Sequence, residues 1–308
     1  MINISIPYRT GSPEQVPLEY IISNNFKIEA NIFDIDQLLT EESIRKLTKE
    51  LSNFQSLSMG IVGSLHFPTD DADYLSDPEK YNALISAINI CSETDIPIIV
   101  LHSNYIISSD LFDKNDIQNI RHKYSSLLSE IDLYITKQNI NVLVCIENMP
   151  IIGNDGIDFD SIFIFPEDFI SIKNLKNIAV TLDICHWGFT CEFMKSINNI
   201  HPYIESKKSI KFNDILEISN IIKHLHLSSF KYLTFPHTMI NCEEGIIPNL
   251  GLASEQEILS VLKSLQDDEQ NRLLTLEIKE IDYKNRINFI KTVDWLKNVI
   301  PSLFSQDI

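Results

Sequence analysis

The chain has 308 residues and a hydrophobic content of 44%, enough apolar material for one large barrel or two ordinary domains and too much for a disordered chain. Asp and Glu number 43 against 25 for Lys and Arg, a formal net charge of -18, which repels polyanions and makes duplex DNA a disfavoured partner. The five cysteines (Cys91, Cys145, Cys185, Cys191, Cys242) include no C-x-x-C pair, so neither a disulfide framework nor a Cys-rich zinc module is indicated. The N-terminal MINISIPYRT lacks the basic and apolar regions of a signal peptide, and no window approaches the ~18 apolar residues of a membrane span. The expectation is a cytoplasmic protein with no membrane partner.

Apolar runs rich in Ile and Val recur along the chain with helical stretches between them, the pattern of strand–helix units around a parallel sheet. In order the expected strands are INISIPY from Ile2, FKIEANIF from Phe26, SMGIVGSLHF from Ser58 and IPIIVLHS from Ile96. NVLVCIEN from Asn141, NIAVTLDI from Asn177, IKHLHLSS from Ile222 and RLLTLEIK from Arg272 follow. Between them, Tyr81, Leu84, Ile85 and Ile88, and again Ile258, Val261, Leu262 and Leu265, fall on one face of a helix. SPEQ at Ser12 and DPEK at Asp77 put a capping side chain before Pro, with an acidic or amide residue in the first turn. Eight strands close a parallel barrel, so the expected fold is α/β, a single (β/α)8 TIM barrel over residues 1–308. Its longest excursion follows the sixth strand, from Trp187 to Asn220, and reads as two helices.

Ionisable residues gather at the strand ends. His66 ends the third strand, His102 the fourth, Glu147 the fifth, Asp183 and His186 the sixth, His226 the seventh and Glu277 the eighth. The C-terminal rim of such a barrel carries the active site, so these groups should meet in space. Carboxylates with imidazoles and no required thiolate form an O/N ligand set suited to zinc, manganese or iron. A divalent metal also answers why VTLDICHWGF (residues 180–189) buries a carboxylate and an imidazole at the end of an apolar run.

Neighbouring residues read more plainly. His224 is in phase with His226 one pleat deeper and suits a supporting hydrogen bond behind the ligands. Cys185 reads as a small buried thiol, His122 and His201 as structural, and the acidic TDDADYLSD (Thr69 to Asp77) as a solvated loop that caps the next helix.

These motifs resemble the xylose-isomerase-like barrels, which include sugar isomerases and epimerases and the endonuclease IV (AP endonuclease family 2) nucleases. The resemblance rests on Glu147-Asn148, Leu182-Asp183 with His186, His226-Leu227-Ser228 and Glu277, and TLDICHWGF is closest to the endonuclease IV version. That branch implies two or three metal ions, with zinc first, and places His66 and His102 among their ligands. PHTMINCEEG adds His237, followed by Glu244-Gly245, as the match to its D-x-H motif and downstream E-G. Phe235 stands where that motif has its aspartate, leaving a third ion one ligand short.

The resemblance implies a metal-dependent phosphoesterase-type hydrolase that cleaves a phosphoester or phosphodiester of a small molecule or nucleotide-like substrate with metal-activated water, a cobamide nucleotide loop being one such substrate. Glu147 or Glu277 would take the nucleophile's proton, with Asn148, Lys231 and Tyr232 orienting the substrate. The alternative is a sugar or sugar-phosphate isomerase or epimerase with one metal and a Glu147/Glu277 acid–base pair. The third is a multinuclear iron oxygenase. His66 and His102 discriminate, because a single-metal isomerase has no use for them.

Overall fold

The computed structural model describes residues 2–103, 106–108, 114–151, 158–160, 162–196, 207, 209–233, 242–268 and 270–304. Ten strands occur among these: β1 (Ile2–Arg9), β2 (Lys27–Asn31), β3 (Val62–His66), β4 (Ile98–Leu101), β5 (Ile106–Ser108), β6 (Leu143–Glu147), β7 (Asp158–Asp160), β8 (Ile178–Asp183), β9 (Ile222–Leu227) and β10 (Arg272–Leu276). Eight of them close a parallel barrel in the order β1-β10-β9-β8-β6-β4-β3-β2. All eight expected strands are present. The small antiparallel pair of β5 and β7 was not anticipated, because three-residue strands leave no periodicity to read.

Helices α1 (Leu18–Ser23), α2 (Glu41–Leu57), α3 (Pro78–Glu93), α4 (Lys114–Gln138), α5 (Ile184–Ser196), α6 (Glu255–Asp267) and α7 (Ile287–Val299) lie between or after the strands. Their starts are chemically marked. Thr40 and Ser43 form a reciprocal capping box at α2, and the Asp77 carboxylate accepts from the Glu79 amide at 2.8 Å, with Pro78 opening α3. Such caps satisfy amides that lack intrahelical partners. On α6, Ile258, Val261, Leu262 and Leu265 are all buried. SPEQ, by contrast, makes only a single 3-10 turn at Pro13–Gln15, with no bond from the Ser12 side chain. After the sixth barrel strand, α5 and a 3-10 stretch at Phe212–Ile221 replace the expected helix pair among the described residues.

Strand alternation separates two interiors. One parity, including Ile4, Ile6, Ile28, Leu65, Ile99, Val144, Ile146, Val180, Leu182, Leu225 and Leu274, belongs to the main core beneath the helices. The other lines the barrel. Near the N-terminal strand ends it is an apolar plug of Ile98, Val100, Cys145, Ala179 and Leu273. Gly63 leaves room there, since a Cβ at that position would sit 2.9 Å from Leu273 Cδ2. Two residues further along the strands the lining turns polar, and Ser5, Glu29, Ser64, Thr181, His224 and Thr275 are all fully buried. One pleat more brings the strand ends. A single-residue slip of register would exchange these faces, so the pairing that builds the helix-facing core also aims the polar residues at the barrel axis.

Candidate metal centre

Register and pleat bring His66, His102, Glu147, Asp183, His186, His226 and Glu277 to one place. Asp183 and His226 are direct partners across β8 and β9, while Glu147 ends β6 and His66 ends β3. His186 sits not on the strand but in the first turn of α5, which begins immediately after Asp183. Glu147 is the hub. Its Oε2 lies 3.3 Å from His66 Nε2, 3.2 Å from His102 Nε2 and 3.3 Å from His226 Nδ1, and its Oε1 lies 3.3 Å from His186 Nδ1. His226 Nδ1 also faces Glu277 Oε2 at 3.4 Å and Asp183 Oδ2 at 3.8 Å.

One ring nitrogen on each of three histidines is anchored to an acceptor. His66 Nδ1 donates to the Phe67 carbonyl at 2.8 Å, and His186 Nδ1 to the Asn148 carbonyl at 2.9 Å. His226 Nε2 donates to Glu29 Oε2 at 3.4 Å, with Oε1 at 3.2 Å. In a neutral imidazole the other nitrogen is then a lone pair. On His66 and His226 that lone pair faces carboxylates at 3.3–3.4 Å, and on His186 it faces Glu244 Oε1 at 3.1 Å. Lone pair against carboxylate is repulsive unless a proton or a cation lies between them. Asp183 Oδ2 and His226 Nδ1 are moreover buried without a hydrogen-bond partner. The donors fit a metal: His66, His102 and Glu147 each place a ligand atom within 4.8 Å of the others, as do Glu147, Asp183 and His226.

The electrostatics carry the same strain. Burial pushes the Asp183 carboxyl up to about 6 and that of Glu277 up to about 8, with Glu147 adding repulsion in both cases. Burial also opposes charge on Glu147, yet His226 and His102 hold it well below the ordinary carboxylate range. For His226 burial is outweighed by Glu277, Glu147 and Glu29, so it rises well above its ordinary value, and Asp183 and Glu244 do the same for His186. Such mutually perturbed groups in a cleft mark functional sites. Cys185 is driven well above the usual thiol range by burial and stays a protonated core side chain.

Glu29 and Glu244 were absent from the expected ligand set. Glu29 is fully buried on β2 and accepts from Ser64 Oγ at 2.7 Å and Thr275 Oγ1 at 3.2 Å, with His224 Nε2 at 3.0 Å. His224 is thus the supporting residue it was read to be, and Glu29 is the carboxylate that orients His226. The strand-end rule overlooked Glu29 because it lies a pleat below the rim; its signal is a charge in the middle of the apolar KIEAN. Glu244 follows the left-handed Glu243 and precedes Gly245 at φ +85, whose carbonyl accepts from the Lys279 amide at 2.8 Å. A Cβ on Gly245 would lie 3.0 Å from the Lys279 backbone nitrogen, so the loop needs glycine there.

The residues expected to contact substrate are placed as follows. Asn148 is buried and spends both ends of its amide on Asp183, donating to the carbonyl at 3.0 Å and accepting from the amide at 2.7 Å, so it braces the ligand strand. Lys231 pairs with Glu243 at 3.1 Å and lies over the Tyr232 ring. Neither Lys231 nor Tyr232 is among the described residues that line the cavity over the cluster. His122 is exposed on α4. His237, Phe235 and His201 lie outside the described residues, and among the described residues no helix is long and apolar enough to cross a membrane.

No family model matches the sequence, and no curated protein matches it. Solved structures do. A Thermus thermophilus protein soaked with ZnCl2 is similar over 97% of this chain and 98% of its own, at 14% identity and a TM-score of 0.64. A D-psicose 3-epimerase in the presence of D-fructose matches over 98% of this chain and 100% of its own, at 13% identity and a TM-score of 0.63. Endonuclease IV from Thermus thermophilus matches over 96% of this chain and 99% of its own, at 9% identity and a TM-score of 0.56. The chain has the fold of the xylose-isomerase-like TIM barrels.

Proposed function

We propose that the chain is a divalent-metal-dependent hydrolase that cleaves a phosphoester or phosphodiester of a small molecule or nucleotide-like substrate. Glu147 carries this reading. Its carboxylate belongs at once to the His66–His102 group and to the Asp183–His226 group, so it would serve as a ligand in either candidate cation site. His66, His102 and Glu147 would hold one ion; Glu147, Asp183, His226 and Glu277 would hold the second. His186 with Glu244 offers a further pair. Zinc suits this imidazole and carboxylate set best, with manganese or iron compatible.

When bound, such ions supply Lewis acidity, making water acidic and polarising a phosphoryl oxygen. The chain's own groups do the rest. Glu277 lines the cavity, where its carboxylate is placed to take a proton from attacking water. Glu29 keeps His226 in the tautomer with Nδ1 free, and Asn148 fixes Asp183. The cavity, of about 600 Å³, is of a size for a small molecule.

A second reading, a sugar or sugar-phosphate epimerase, draws on the Glu147 and Glu277 carboxylates, which both face His226 Nδ1, and on the several epimerases of this fold, among them a D-tagatose 3-epimerase-like protein. Metal analysis of protein purified without chelator, beside assays on bis(p-nitrophenyl) phosphate and on ketoses, separates the two. Two or more zinc per chain with diester turnover supports the hydrolase. One manganese with ketose epimerisation replaces it, and iron with oxygen-dependent turnover points to an oxygenase. Protein that stays metal-free through zinc and manganese titration defeats all three.

A further inference from the structure

The rim of the barrel has two sectors. Strands β3, β4, β6, β8, β9 and β10 run into the histidine and carboxylate cluster, whereas β1 and β2 end in Arg9 and Asn31, which are partners in register. Lys279 lies just beyond β10, the strand on the other side of β1. Arg9, Asn31 and Lys279 line the same cavity as His66, Glu147 and Glu277. Arg9 and Lys279 are the basic side chains of that lining among the described residues, where neither forms an ion pair. The Arg9 guanidinium lies 5.2 Å from the centroid of the exposed Phe33 ring, a contact that holds the side chain while leaving its charge uncompensated. Asn31 Oδ1 is buried without a hydrogen-bond partner. In a chain with a net charge of -18, two exposed cations without an ion pair among the described residues line a cavity that also contains Glu147, Glu244 and Glu277.

We propose that Arg9, Asn31 and Lys279 form a recognition subsite for a second anionic group of the substrate, a carboxylate or phosphate other than the phosphoryl group attacked at the metal centre. Arg9 supplies a planar fork for two anion oxygens, Lys279 a mobile point charge, and Asn31 an amide that can turn either end to the ligand. The substrate is then at least dianionic, with its two charged groups held at adjoining sectors of one rim. The inference rests on the hydrolase reading for which group reacts, but binding at the subsite is read without turnover.

The test is calorimetric titration of the zinc-loaded protein with alkylphosphonates and their carboxylate-bearing counterparts: ethyl-, propyl- and butylphosphonate against phosphonoacetate, phosphonopropionate and phosphonobutyrate. At least one carboxylate-bearing ligand should bind about ten-fold tighter than its plain counterpart, the scale of a charge-assisted hydrogen bond. Arg9→Gln and Lys279→Gln should each shrink that surplus, and the double variant should remove it, while affinity for the plain phosphonates stays within about two-fold. No surplus at any chain length, a surplus that survives the double variant, or an equal loss for both ligand series overturns the subsite. Failure of the hydrolase reading shows separately, as absent diester turnover.

Discussion

The imidazoles of His66 and His226 lie nearly parallel, 5.6 Å between centroids with 18° between their planes, and both turn a nitrogen to the same oxygen, Glu147 Oε2, at 3.3 Å. One atom therefore serves residues 160 positions apart (66 and 226) in the chain. Glu147→Gln keeps the shape but replaces a carboxylate facing two candidate cation sites by one neutral carbonyl oxygen and an amide NH2. Zinc affinity should fall by more than about 100-fold, beyond the loss typical of an outer supporting residue, with diester turnover falling in parallel. Metal content after dialysis is the readout, and a Gln variant that retains two ions would remove Glu147 from its shared position.

Glu29 separates support from ligation. Glu29→Gln retains an acceptor for one of its donors but loses the charge that His224 and His226 face at 3.0 and 3.2 Å. Zinc affinity should drop by about 10- to 100-fold with the fold intact. Glu29→Ala, which removes the carboxylate that both buried histidines face, should in addition destabilise the metal-free protein by about 3–5 kcal/mol. Chemical denaturation in chelator measures the second effect, and titration calorimetry the first.

The pH dependence of the metal-free protein follows from the same cluster. Glu277 has its carboxyl raised from 4.5 to about 8 and Asp183 from 3.8 to about 6, so the folded state holds these protons more tightly than the unfolded chain. Their contribution is full in acid and is lost as pH rises through those windows. His186 and His226, also raised, act in the same direction above an ordinary histidine value of about 6.5. Glu29 and Glu147 are lowered, and their contribution is lost as pH falls below about 4.5. Melting in chelator should therefore peak near about pH 4.5 and decline toward pH 9. Added zinc, which displaces those protons, should lift the alkaline side most. Equal zinc stabilisation at pH 5 and pH 9 would contradict the assignment.

Gly251 is a packing constraint behind β9. A Cβ there would lie 2.1 Å from Ser229 Oγ, 2.4 Å from Ser229 Cβ and 2.9 Å from the Phe230 carbonyl. Gly251→Ala should cost about 1–3 kcal/mol, read as a fall of several degrees in melting temperature. An unchanged melting temperature would show that this turn relaxes freely.

Much of this architecture was legible because barrel strands buried on both faces announce themselves as apolar runs, and because an imidazole or carboxylate at the end of such a run has few inexpensive explanations. His66, His102, Glu147, Asp183, His226 and Glu277 were found by that rule. It misplaced His186 by one element, since a helix that starts immediately after a strand leaves no turn residues to mark the boundary. It could not see Glu29, whose polar neighbours Ser64 and Thr275 come from other strands, or the sector of Arg9 and Asn31, which bear no metal-ligating chemistry. The bonds of Asn148 to the Asp183 main chain were equally invisible, because partners across β6 and β8 are known only once the strands are paired.

The left-handed turn at Gly245 ties Glu244, poised 3.1 Å from His186, to the main chain of Lys279 through a 2.8 Å hydrogen bond. The two side chains are thus carried on one mechanical unit. A shift of the Lys279 main chain would therefore act on the turn that carries the carboxylate facing His186.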